Sequence, residues 1–295
     1  MSGNETEPGW QPRSLLFVPA NDERKLQKAL GSGADVLLID LEDSVAPEAK
    51  AAARTIAAAF IAHVAAVDRP KLYVRVNDLA SGLLRDDLAA IMFSHPDGIM
   101  LPKANSGADV SALARMMDET GSEAATRAGI IAIATETPLA LLQMHSFIGA
   151  ERRLLGMTWG AEDLGTAIGA ATAREPSGEF TGPFALARNL CLITAHAAGV
   201  LAIDSIYADF RDEAGLEREA RQAARDGFSA KMAIHPAQVP IINAAFIPTP
   251  EQIAEATAIV EAFERQPAAG AIGLNGRMID RPHLVRAQKL LARAR

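Results

Sequence analysis

Val36-Leu37-Leu38-Ile39-Asp40-Leu41-Glu42-Asp43 is an apolar run that ends in three carboxyl groups within four residues. A run this short and this continuous reads as a strand covered on both faces, as in parallel sheets. Seven more runs of the same kind flank it: Leu15 to Val18, Leu72 to Val76, Gly98 to Leu101, Ile130 to Ala134, Leu154 to Met157, Leu201 to Asp204 and Lys231 to Ile234. Between them lie Ala-rich stretches with helical spacing, such as Pro47 to Val67 and Ala185 to Ala198. The alternation predicts repeated β-α units, and eight of them can close into a (β/α)8 TIM barrel.

The length of 295 residues suits one such barrel of about 250 residues plus an extension. Residues 1–12 are polar and acidic and are expected to form a disordered tail. Residues 13–266 are expected to form the barrel, with Thr249 to Glu264 as its last helix. The C-terminal extension, 267–295, carries Gly270, Gly273 and Gly276 and then a basic helix, Pro282 to Ala294.

A net charge of −7 and a pI near 5.4 oppose general binding to nucleic acid or to an anionic membrane, both of which call for a basic surface. No apolar run approaches the ~18–20 residues that span a bilayer. Cys191 is the only cysteine, so a disulfide within the chain is excluded, and a cytoplasmic location is expected.

Barrel enzymes assemble their sites at the carboxyl ends of the strands. In chain order those ends carry Pro19; Asp40 with Glu42 and Asp43; Arg75 with Asn77; Lys103; Glu136; Glu162 with Asp163; Asp204; and His235. Carboxylates gathered in one mouth repel one another unless a cation neutralises them. Oxygen-only ligands favour Mg²⁺, with Mn²⁺ as an alternative, and no Cys/His cluster has zinc spacing. Glu136 and Asp163 follow neighbouring strands and are the expected metal pair. The local alternatives are a first-turn acid ahead of Pro138 and a helix cap.

Arg75 ends an otherwise apolar strand and needs a negative partner, either a substrate carboxylate or enolate or one of the strand-end acids. Lys103 could pair with Asp40 or Glu42, while Glu42 and Asp43 could orient metal-bound water. His235 could act as a base or could be a hydrogen-bonded structural residue.

The segments Arg13 to Ala20, Leu38 to Pro47, Val74 to Asn77, Gly98 to Lys103 and Gly160 to Leu164 together resemble the citrate lyase β-subunit-like proteins of the HpcH/HpaI aldolase family, with malyl-CoA and citramalyl-CoA lyases as relatives. The resemblance runs from Arg13 to the C-terminus. It implies a Mg²⁺-dependent carbon-carbon lyase that cleaves a 3-hydroxyacyl-CoA to acetyl-CoA, or a similar thioester, and a 2-oxo acid. The alternatives it leaves are a malyl-CoA thioesterase and a citrate lyase β subunit working with an acyl-carrier protein.

The same resemblance implies metal binding by Glu136 and Asp163, enolate stabilisation by Arg75, and backbone amides around Gly160, Ala161 and Glu162 for the oxo-acid carboxylate. Around these residues, Asp40, Glu42, Asp43 and Lys103 are expected from their strand-end positions to play supporting roles. Asp280, in Gly276 to His283, becomes an acid/base that reaches a neighbouring subunit's site in a homotrimer or hexamer. The loop from Ala20 to Lys25 departs from the family by lacking an Arg-Pro pair. Arg24, Lys25 and Lys28 are the remaining candidates for CoA phosphates, with solvated helix charges as the alternative.

Overall fold

A computed structural model describes residues 11–64 and 69–294. The expectations for residues 1–10 and for a helix reaching Val67 fall outside the described residues. Eight parallel strands close into a barrel in chain order. The chain runs β1 (Ser14–Pro19), α1 (Glu23–Leu30), β2 (Val36–Asp40), α2 (Lys50–His63), β3 (Lys71–Arg75), α3 (Leu84–Ile91), β4 (Gly98–Leu101), α4 (Gly107–Glu119) and β5 (Gly129–Ile133). It continues with α5 (Pro138–Leu142), β6 (Leu154–Thr158), α6 (Ala161–Ile168), α7 (Gly182–Ala198), β7 (Leu201–Asp204), α8 (Glu213–Asp226), β8 (Ala230–Ala233) and α9 (Gln238–Ala245).

Strand register decides which side chains meet at the mouth. Pro19 pairs with Asp40, Asp40 with Arg75, and Arg75 with Met100, so the ends of β1 to β4 come level. The barrel interior is packed by Leu15, Val36, Leu38, Tyr73, Met100, Ile131, Ile133, Ile203 and Met232. Tyr73 is the largest of these and explains two glycines, since a Cβ at Gly98 would lie 2.1 Å from its ring and one at Gly129 would lie 2.8 Å from its hydroxyl oxygen. Outside the barrel, helices bury one stripe each, as α2 does through Ala53, Ala57, Phe60 and Ile61.

The chain divides into two compact units, Met1–Asn243 and Ala244–Arg295. The second contains α10 (Pro250–Arg265), β9 (Ala271–Leu274), β10 (Arg277–Asp280) and α11 (Arg281–Arg293). The sequence assigned the helix now called α10 to the barrel, but it packs with α11 and β9 around Ala262, Phe263, Ile272 and Ile279. That shared core groups α10 with the C-terminal segment. Among the described residues no helix is long and apolar enough to cross a membrane.

Candidate active site

A cavity of about 400 Å³ opens at the carboxyl ends of the strands. It is lined by Asp40, Asp43, Arg75, Glu136, Gly160, Ala161, Glu162 and Asp163, with apolar walls that include Phe17, Ile133, Trp159 and Met232. The predicted metal pair and the predicted substrate-binding residues therefore share one space.

Glu136 lies two residues before the first residue of α5 and is 4% exposed. It is not the first-turn acid of that helix, because Thr137 supplies the cap by accepting the Ala140 N–H at 3.1 Å. Burial, opposed by the Lys103 N–H and reinforced by Asp163 and Glu42, pushes the Glu136 carboxyl up to about 8. The Lys103 backbone N–H donates to Glu136 Oε2 at 2.5 Å. Lys103 makes that bond with φ at +52°, a left-handed conformation that non-glycine residues seldom hold.

Asp163 is the third residue of α6, whose cap is Gly160, so it is not a helix cap. Gly160 sits at a close approach, because a Cβ there would lie 2.8 Å from Glu136 Cγ. The glycine thus lets the start of α6, with its unpaired first-turn N–H groups, draw up against the buried carboxyl.

Arg75 is engaged by the strand-end acids. Its Nε and Nη2 each donate at 2.7 Å to one oxygen of Asp40, a bidentate pair. Its Nη1 lies 3.0 Å from Glu42 Oε2 and 3.5 Å from Asp43 Oδ2, and the guanidinium stands 4.8 Å from the Phe17 ring centroid. Asp40 is in turn fixed by the Glu42 and Ser44 N–H groups at 2.9 and 3.1 Å. Burial alone would lower the Arg75 pKa, but Asp40, Glu42 and Asp43 outweigh it and hold the group firmly charged.

The Lys103 ammonium pairs with Glu42 rather than Asp40, and lies 3.5 Å from Asp163 and 3.9 Å from Asp43. Burial raises Glu42 to about 6 against the pull of Arg75 and Lys103. Six carboxyl groups, Asp40, Glu42, Asp43, Glu136, Glu162 and Asp163, thus stand in or beside the cavity with two cations.

That imbalance suits a hard divalent ion. Among the described residues no three His, Cys, Asp or Glu side chains form a metal cage. Glu136 and Asp163 instead offer two oxygen ligands and leave open positions, which is how Mg²⁺ is commonly held.

Three other expected sites are not among the residues that line the cavity. Arg24, Lys25 and Lys28 are exposed on α1, and Lys25 is 3.5 Å from Asp22. His235 accepts the Ala237 N–H at 3.2 Å and stacks on Phe210, a structural arrangement. Asp280 lies in the second unit, where it caps α11 in a capping box and contacts His283 Nδ1 at 2.5 Å. That hydrogen bond lowers its pKa.

Sequence reasoning missed the buried ion cluster behind the cavity. Lys231, fully buried in β8, donates to Asp204, Ser205 and Glu219. A lysine inside the otherwise apolar Ala230-Lys231-Met232-Ala233 was the available signal.

A parallel eight-stranded barrel with a carboxylate-rich mouth at the carboxyl ends of its strands is the arrangement of a TIM-barrel enzyme whose site suits a divalent metal. Residues 13–236 match the model of the HpcH/HpaI aldolase/citrate lyase family, and residues 179–295 match that of a carbon-carbon bond lyase of the TIM-barrel fold. The chain is 34% identical over 284 residues to (3S)-malyl-CoA thioesterase of Cereibacter sphaeroides, covering 96% of this chain and 94% of that protein. It is 33% identical over 296 residues to mitochondrial citramalyl-CoA lyase of Homo sapiens, covering 96% and 85%. A crystal structure of protein CitE from Mycobacterium tuberculosis with magnesium, acetoacetate and coenzyme A superposes with a TM-score of 0.83 at 32% identity, covering 96% of this chain and 98% of that one. The chain belongs to the HpcH/HpaI aldolase/citrate lyase family.

Proposed function

We propose that the chain is a Mg²⁺-dependent lyase that cleaves a 3-hydroxyacyl-CoA of the malyl-, citramalyl- or citryl-CoA kind into a thioester and a 2-oxo acid. The observation that carries this reading is the pairing of buried Glu136 with Asp163 in one cavity, beside the free N–H groups of α6. The magnesium in the CitE complex and the CoA-ester names of the relatives support it.

Glu136 and Asp163 would hold the ion, which when bound supplies Lewis-acid stabilisation of oxygen charge. The N–H groups of Ala161 and Glu162 orient the carboxylate of the oxo-acid half, whereas the expected Gly160 N–H is already taken up by Thr135 Oγ1 at 3.2 Å. Asp40 clamps the Arg75 guanidinium through Nε and Nη2, and binding of the thioester oxygen at Nη1 displaces its contacts with Glu42 Oε2 and Asp43 Oδ2. As the C–C bond breaks, its electron pair moves onto that oxygen as an enolate, and Arg75 stabilises it.

Asp280 of a neighbouring subunit handles the proton at the enolate carbon. In condensation the Asp280 carboxylate takes the α-proton and the new C3 oxygen takes up a proton from solvent; in cleavage the C3 hydroxyl proton goes to solvent and protonated Asp280 returns its own to the enolate carbon. This role requires a homo-oligomer, and a trimer or hexamer is the state proposed. Arg24, Lys25 and Lys28 on α1 offer charge for the CoA phosphates.

The test incubates the protein and Mg²⁺ with malyl-, citramalyl- and citryl-CoA and follows the products by mass spectrometry. Equal amounts of oxo acid and acetyl-type thioester are expected. Free CoA with a hydroxy acid would instead make the protein a thioesterase like its Cereibacter relative. Activity only after addition of an acyl-carrier protein would make it a citrate lyase subunit, and activity insensitive to EDTA would remove the metal from the mechanism.

A further inference from the structure

Six side chains form a closed ring of contacts that ends on the cavity wall. Trp159 Nε1 donates to Asp204 Oδ1 at 2.8 Å, and Lys231 Nζ donates to Asp204 Oδ2 at 2.9 Å. The same ammonium donates to Glu219 Oε1 at 2.9 Å, and Arg174 Nη2 donates to Glu219 Oε2 at 2.6 Å. The Arg174 guanidinium lies 4.0 Å from the centroid of Phe180. Phe180 then meets Trp159 edge to face, with centroids 4.8 Å apart and planes at 80°, and the ring is closed.

Trp159, Asp204 and Lys231 have no exposed surface, whereas the Arg174 side chain is 33% exposed. An apolar residue of similar volume commonly replaces a buried ion pair without loss of stability, so burying this lysine is not explained by barrel packing alone. What the ring adds is orientation. A hydrogen bond fixes the Trp159 indole from behind and an aromatic edge fixes it from the side. That edge belongs to residues 169–181, which connect α6 to α7 and are drawn together by an Arg174–Phe180 bridge.

Trp159 directly precedes the Gly160 to Glu162 amides, and it lines the cavity with Ile133 and Met232. A group attached next to the oxo-acid carboxylate would face this apolar wall. We propose that the ring sets the selectivity of the site for the side chain of its 2-oxo acid, with Trp159 as the wall and Arg174 as the positioning residue that holds it from outside the cavity. This rests on the lyase reading above.

The experiment uses Arg174→Gln, Arg174→Lys and Phe180→Leu, assayed in the condensation direction with acetyl-CoA and glyoxylate, pyruvate or 2-oxobutanoate. Loosening the wall by about one methylene should raise kcat/KM for 2-oxobutanoate relative to pyruvate about tenfold in Arg174→Gln, through KM rather than kcat. Arg174→Lys should recover part of the original preference, because it restores the charge link to Glu219.

A second readout needs no turnover. The sequence has two tryptophans, so in a Trp10→Phe background Trp159 reports alone. Acrylamide should quench its emission more strongly in Arg174→Gln and Phe180→Leu, and adding Mg²⁺ with pyruvate should reduce that quenching. Unchanged selectivity together with unchanged quenching in both variants overturns the proposal. If the wild type shows no lyase activity but its quenching responds to pyruvate and the variants alter that response, the ring stands and the lyase reading falls.

Discussion

Glu136 is the residue on which the site turns. Its carboxyl is almost fully buried, and its pKa of about 8 reflects desolvation with Asp163 and Glu42 nearby. Such a group gains most from a cation, since ion binding removes the repulsion and supplies a partner at once. Glu136→Gln keeps the shape and the Lys103 N–H bond but removes the charge. Isothermal titration should show Mn²⁺ and Mg²⁺ affinity falling by at least about tenfold, with the fold intact by circular dichroism. Affinity equal to wild type would show that the ion is held elsewhere. Glu136 was legible in the sequence because an acid followed an apolar strand. The detailed partners of Arg75 were not, because an arginine at a strand end can meet a substrate or a neighbouring acid equally well. Strand register places Asp40 opposite Arg75 and so gives the guanidinium one of its partners.

At the scale of elements, the junction between β6 and α6 does the positioning. Gly160 lets the start of α6 approach Glu136, and any side chain there would press on Glu136 Cγ at 2.8 Å. Gly160→Ala should cost about 1–3 kcal/mol of stability through overpacking. Metal affinity should fall as well, because the displaced group is the proposed ligand. A thermal melt and a Mn²⁺ titration on the same preparation check both, and a melt lowered with unchanged affinity would separate the glycine from the metal site. The eight strands were readable because each is a short apolar run, and all but the first, which ends at Pro19, are closed or followed by an ionisable residue. The β9–β10 hairpin was missed even though Asn275-Gly276 is a strong two-residue turn signal. Both residues have positive φ, 51° and 75°, as a tight hairpin turn requires. The flanking strands are four residues each and partly exposed, so their alternation is too brief to stand out against the glycines around them.

At the scale of the whole molecule, two predictions separate stability from assembly. Burial raises the pKa of Asp204, but Lys231, Arg188 and the Trp159 N–H outweigh it and leave the group below its ordinary 3.8. A carboxyl with a lowered folded pKa contributes stability above its unfolded value, and that contribution is lost as pH falls through the folded value. Asp204→Asn leaves the buried Lys231 short of one partner and should cost about 3–5 kcal/mol at neutral pH. The gap in melting temperature between wild type and variant should narrow only below about pH 4. A gap that stays constant down to pH 2 would contradict the assignment. Assembly is tested by mixing two variants that are each expected to be inactive alone, Glu136→Gln and Asp280→Asn. If each site draws its Asp280 from a neighbour in a closed ring of subunits, a site is whole when an Asp280→Asn chain supplies Glu136 and a Glu136→Gln neighbour supplies Asp280. Random mixing at equal amounts, after dissociation and reassembly, should restore about a quarter of wild-type turnover. If Asp280 serves only as the cap of α11, as its bond to His283 allows, Asp280→Asn would lower the melting temperature while retaining activity. If it acts within its own chain, the mixture would stay inactive.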